Sequence, residues 1–363
     1  MMHRLIFLVG PPRSGSTLLM RVLNATDQIY SRPEPHLMGP LAHLGYYGNV
    51  DKAAYDQLQA ADAIREIVRD LPGGEDDYTR ALRAYADSLY AGLLQLSDRA
   101  GTAEHERYFL DKTPANALIL PFLGKLYPNA KYIVLTRHPA AIFASFAESF
   151  FDGDYEAAVR FNPILVRYIP AMAAFLRQKN ASFIHVKYED LVTEPEQTLE
   201  RICEYLEIPF DPAALDYNRK AVDGKGLGDP VGVNKHARPV VSSKDTWGAE
   251  FAANPARAEV VARQIASVDP ADLETWGYPL DSFWKPMEQA DPASWKPRKI
   301  ALDRFQKQRR LLRWLRRAAT GSTFGRLLGK VRFFCDVILR EGFADYASKP
   351  MPPRPPSLSE PEG

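Results

Sequence analysis

The chain has 363 residues, 46% of them hydrophobic, enough apolar material to bury the core of one large or two ordinary domains. Two cysteines, Cys203 and Cys335, exclude a disulfide framework and point to a reducing, cytoplasmic compartment. The formal net charge of +1 conceals an asymmetry: of the 46 Lys/Arg and 45 Asp/Glu, thirteen and one lie between Lys296 and Arg332, which leaves 33 against 44 in the remainder.

The first predicted element is a buried parallel strand, Leu5 to Val9, read from its unbroken apolar run. That run stops at Val9 and lacks the form of a signal peptide. No apolar segment approaches the roughly 20 residues needed to span a bilayer, so a soluble protein is expected. The loop Gly10-Pro11-Pro12-Arg13-Ser14-Gly15-Ser16-Thr17 follows, and Leu18, Leu19, Val22 and Leu23 then recur at helical spacing. Strand, small-residue loop and helix start form an anion cradle, in which successive backbone N–H groups converge on a phosphate. The loop nearly spells GxxxxGK[ST], with Ser16 where the lysine of a nucleotide triphosphatase would stand. The cation sits instead at Arg13, whose planar fork can hold a doubly bonded anion such as a phosphosulfate bridge. An ordinary β-turn-α connection is the plain alternative. PPRSGST after a strand resembles the 5′-phosphosulfate loop of sulfotransferases that use 3′-phosphoadenosine 5′-phosphosulfate (PAPS). The resemblance implies that Arg13, Ser14, Gly15, Ser16 and Thr17 contact this donor.

Next comes Ile29 to Leu37, IYSRPEPHL, read as a Pro-bracketed loop at the C-terminal side of the sheet, where ligands of doubly wound folds bind. Glu34 faces the acceptor side in this reading, and a positioned carboxylate can take the proton of an attacking hydroxyl. Tyrosylprotein sulfotransferases have a catalytic glutamate at the similar position. His36 is the competing base. From Asp51 to about Asp98 two amphipathic helices are expected, split by Leu71-Pro72-Gly73-Gly74. Leu58, Ala61, Ile64 and Ile67 line the first, and Leu82, Ala86, Leu89 and Leu93 the second. They read as a helical lid over residues 40–105.

Tyr108 to Asp111 is a short strand running into Lys112-Thr113-Pro114-Ala115-Asn116. DKTP is similar to a second strand loop of the family, which implies that Lys112 contacts the sulfuryl or bridging oxygens; a fixed cation there offsets charge growing on the leaving oxygen. Tyr132 to Thr136 is the next strand. It leads into Arg137-His138-Pro139 and a helix to about Phe150, so that RHPAAIFAS resembles the family's 3′-phosphate site, with Arg137 and Ser145 bracketing one phosphate. After the strand Phe183 to Lys187, KYEDL implies that Tyr188 lies near the nucleotide, while Glu189 and Asp190 are expected to cap and orient the next helix. The segment Lys225 to Trp247 is similar to the loop that closes over the adenine and 3′-phosphate, with Lys235, His236 and Arg238 as phosphate contacts. It departs from the RxGxxGxWK signature of hormone and phenol sulfotransferases and is closer to the bacterial and tyrosylprotein branches. The resemblance covers roughly residues 4 to 280.

The expected fold is α/β: a P-loop-like parallel sheet flanked by helices, with a helical lid and a helical C-terminal extension. Residues 1–290 form the sulfotransferase domain, 291–348 a basic helical extension, and 349–363 a disordered Pro-rich tail. The expected activity is in-line transfer of a sulfuryl group from PAPS to a hydroxyl, leaving 3′-phosphoadenosine 5′-phosphate (PAP), without a metal and with Glu34 as base. The acceptor is a small molecule, a carrier-bound chain, a lipid or a sugar, or a peptide tyrosine. The basic stretch Lys296–Arg332 could meet an acidic carrier protein, an anionic membrane surface peripherally, or the acidic body of its own chain; no nucleic-acid partner is expected. Two other readings remain: a small-molecule P-loop kinase, disfavoured by Ser16, and a non-catalytic membrane- or partner-binding protein on a sulfotransferase fold.

Overall fold

A computed structural model describes residues 4–42, 57–98, 108–179, 181–219, 237–241 and 246–296, with the isolated positions 323 and 327. The strands are β1 (Leu5–Val9), β2 (Ile29–Pro33), β3 (Tyr108–Lys112), β4 (Lys131–Thr136) and β5 (Phe183–Lys187). They form one sheet in the order β2-β3-β1-β4-β5, and every neighbouring pair is parallel. The five residues of β1 are all buried, as a central parallel strand covered on both faces requires. Alternation divides them: Leu5, Phe7 and Val9 join the core on one face, and Ile6 and Leu8 the core on the other. The register Leu5↔Phe109, Ile6↔Leu110, Phe7↔Asp111 carries that division into β3.

The second face is covered by α1 (Ser16–Asn24), α9 (Tyr188–Thr193) and α10 (Pro195–Leu206), which supply Leu19, Leu23, Leu191, Leu199 and Ile202. On the first face lie α4 (Glu75–Asp98), α5 (Leu120–Leu126), α6 (Pro139–Phe151) and α8 (Ile164–Leu176), whose apolar residues surround Phe7, Phe109 and Tyr132.

Two differences from the sequence reading have physical causes. Ile29–Pro33, read as loop, is a strand: β2 is the sheet edge, so Pro33 at its end breaks no ladder that a central strand would need. In α4 the inward stripe is Leu82, Ala86 and Tyr90, all buried, while Leu89 is exposed; Tyr90 takes the inner place because its hydroxyl finds a buried partner. These three residues seat the helix on the core, and Tyr85 on its outer side is exposed. Toward its C-terminal end the described chain packs at least to Trp295, whose ring lies 5.6 Å from the Arg257 guanidinium.

Candidate active site

The loop after β1 turns on backbone geometry. Arg13 has φ +72° and Gly15 φ +94°, and Gly15 is the N-cap of α1. A Cβ at Gly15 would stand 2.3 Å from the Tyr188 ring, so glycine is required twice, for its φ and for the close approach. The first N–H groups of α1 have no partner within the helix, and its first turn carries no acid. Ser14 Oγ is buried without a hydrogen-bond partner among the described residues. These features suit an anion.

Two groups of polar side chains converge there. In the first, Arg13 Nε donates to Ser145 Oγ at 3.0 Å, and Arg137 Nη1 donates to the Arg13 carbonyl at 3.1 Å. The Arg137 guanidinium sits 4.2 Å from the centre of the Tyr188 ring. Arg137 is partly buried, and that burial lowers its pKa from the usual arginine range. The Trp276 indole N–H holds the Arg137 carbonyl at 3.0 Å, a contact from a segment that sequence reading left without a role. Arg13, Gly15, Arg137, Ser145 and Tyr188, predicted from three separate motifs, thus meet in one place.

In the second group, Lys112 Nζ donates to Glu34 Oε1 at 2.7 Å and to Thr17 Oγ1 at 3.4 Å. Lys112 is 1% exposed and Glu34 17%. Glu34 Oε2 lies 3.4 Å from His36 Nε2. Removing one partner of so enclosed a pair costs about 3–5 kcal/mol, because the other charge is left uncompensated. Glu34 and His36 have φ +32° and +53°. With Arg13 they make three of the five non-glycine positive-φ residues described, each storing about 1–3 kcal/mol that the surroundings must hold. Such strain gathers at functional sites.

The remaining predicted residues fall as follows. Ser16 is buried in the first turn of α1, and Thr17 receives Lys112. Arg238 is exposed. Lys235 and His236 lie outside the described residues, as do Arg298–Arg332 apart from the two isolated positions, and the tail 349–363. Glu189 caps nothing in its own helix. It accepts from the His138 backbone N–H at 3.0 Å and from the Tyr278 hydroxyl, tying α9 to the start of α6. His138 itself is the N-cap of α6: Nδ1 accepts from the Ala140 N–H, and Nε2 donates to the Phe283 carbonyl. Burial lowers its pKa to about 3, so it is a neutral structural group. Among the described residues no group of three or more His, Cys, Asp or Glu is placed to hold a metal ion, and no helix is long and apolar enough to cross a membrane.

A family model described as "Sulfotransferase family" matches residues 5–212, and the chain belongs to that family. It is 30% identical over 230 residues to nodulation protein NoeE of Sinorhizobium fredii, covering 58% of this chain and 51% of that protein. To protein-tyrosine sulfotransferase A of Caenorhabditis elegans it is 24% identical over 220 residues, covering 59% and 52%. The chain thus spans about half the length of these curated relatives. Among solved structures, the sulfotransferase domain from the curacin biosynthetic pathway is similar at 24% identity and a TM-score of 0.44, covering 72% of this chain and 96% of that one.

Proposed function

We propose that this protein transfers the sulfuryl group of PAPS to an acceptor hydroxyl. The observation that carries the reading is Lys112 Nζ lying between Thr17 Oγ1 of the cradle and Glu34 Oε1: one buried cation bridges the donor's anion site and a carboxylate able to act as base. PAPS supplies an activated sulfuryl group. The acceptor oxygen bonds to sulfur as the bond to the bridging phosphate oxygen breaks, and Glu34 accepts the hydroxyl proton, with His36 alongside it. Lys112 and the amides of the loop stabilise the charge that develops on the leaving oxygen. Arg13, Arg137 and Ser145 bracket the 3′-phosphate, with Tyr188 supporting Arg137 from below.

The name of the C. elegans relative makes a phenolic hydroxyl the first acceptor class to try. The test is calorimetric titration with PAP, ADP and ATP–Mg²⁺, followed by transfer of labelled sulfate from PAPS to phenols and alcohols. Tight PAP binding that is lost with ADP supports the reading. A preference for ATP–Mg²⁺ overturns it in favour of a kinase.

A further inference from the structure

Asp111 and Lys112 are consecutive on β3 and face opposite sides of the sheet. Lys112 turns toward α1 and the candidate site, whereas Asp111 turns toward α4. Asp111 is wholly buried. Its Oδ2 accepts from the Tyr90 hydroxyl at 2.6 Å and its Oδ1 from the Thr113 hydroxyl at 2.7 Å. The Thr113 proton is thereby committed to the carboxylate, which leaves the Thr113 oxygen free to accept. It accepts the backbone N–H of His36 at 3.3 Å. His36 belongs to the loop in which Glu34 and His36 both hold positive φ. A continuous chain of hydrogen bonds therefore runs from a helix on the far side of the sheet to the loop carrying Glu34.

We propose that Tyr90 is a positioning residue for Glu34, holding the Glu34–His36 loop through Asp111 and Thr113 so that the carboxylate stays on Lys112. The proposal deepens the sulfotransferase reading and rests on it for its kinetic consequence alone. The Tyr90 ring also packs on Phe109 at 5.0 Å, so removing only the hydroxyl leaves the packing in place. Burial raises the pKa of Asp111, and the Tyr90 and Thr113 hydroxyls lower it, so the carboxylate depends on these two donors. Glu34 itself faces Lys112, His36 and, from α8, Tyr168.

Tyr90→Phe and Thr113→Val are the variants, with Thr113→Ser as the conservative rescue. Two measurements are made on the full chain. Hydrogen exchange over residues 34–37 reports the tether without reference to activity; faster exchange at the His36 amide is expected in Tyr90→Phe and Thr113→Val, and wild-type exchange in Thr113→Ser. For sulfuryl transfer, kcat is expected to fall about tenfold, within the 10²-fold that misplacing a group can cost. PAP affinity stays unchanged, and Thr113→Ser restores the rate. Unchanged exchange, or a fall in kcat that comes only with a loss of PAP binding and melting temperature, overturns the proposal. If the wild type transfers no sulfuryl group, the sulfotransferase reading falls, while the exchange comparison still decides the tether.

Discussion

Arg13 Nε and Ser145 Oγ lie 3.0 Å apart although 132 residues separate them in the chain. One belongs to the loop after β1 and the other to the second turn of α6, so the contact joins the motifs that sequence alone assigned to opposite ends of a nucleotide. With Arg137 holding the Arg13 carbonyl, the three side chains form one rigid corner, and Lys112 is left as the cation beside Glu34.

That corner predicts a separation of donor from acceptor. In Arg137→Ala, PAP affinity should fall about 10–100-fold, the range of a lost charged hydrogen bond of roughly 1.5–3 kcal/mol. The Michaelis constant for the acceptor should stay within about threefold of the wild type. Calorimetry with PAP and initial-rate kinetics check this; an equal loss for both ligands would remove Arg137 from the phosphate site.

Glu34→Gln keeps the shape of the side chain and removes its basicity. The rate of transfer should drop about 10²–10⁴-fold, the usual contribution of a general base, while PAP binding persists. His36→Asn in parallel settles which of the two is the base. A Glu34→Gln enzyme within tenfold of the wild type, beside an inert His36→Asn, would give that role to His36.

Gly15→Ala should cost about 2 kcal/mol or more. The alanine would be held at positive φ, and its methyl group would stand 2.3 Å from the Tyr188 ring. The denaturation midpoint in urea should fall, and PAP binding should weaken with it because Tyr188 underlies Arg137. A wild-type midpoint would show that the loop relaxes without cost.

His138 predicts how stability varies with pH. Its folded pKa is lowered from 6.5 to about 3 by burial, so between those values the unfolded chain binds a proton that the folded one refuses. Its contribution is therefore fully present above about pH 6.5 and is lost as pH falls toward 3, with a slope near 1.4 kcal/mol per pH unit for one proton. Comparing wild type with His138→Gln between pH 6 and 4 isolates this group from Asp111 and Glu250, whose raised pKa values act in the opposite sense. Parallel curves would mean that His138 titrates normally.

Much of the architecture was legible because it rests on patterns that local sequence carries. The apolar run Leu5–Val9 with the glycine and serine loop behind it, DKTP, and RHPAAIFAS each announce a strand end and its cargo, and the structure brings the three cargoes together. The rest depends on information no short window contains. Positive φ at Glu34 and His36 has no residue signature, since neither is glycine. Tyr90, in a helical stretch, gives no sign that its hydroxyl will meet Asp111 on β3. Trp276 reaches Arg137, and Glu189 reaches His138 and Tyr278, only after the C-terminal helices have packed. Ile29–Pro33 reads as loop in sequence because an edge position, which excuses its proline, is a property of the whole sheet.

The pairing of β3 with β1 has one more consequence. Phe7↔Asp111 sends the carboxylate of Asp111 to one side and the ammonium group of Lys112 to the other. A slip of one residue would exchange them, since every side chain changes face when register shifts by one. The cradle would then present an anion to an anion, and the pocket would repel its ligand rather than merely bind it less well. Strand registration thus selects the sign of the charge that the site can receive, and a chain mispaired at this single seam would turn an anion away however well the rest of it folded.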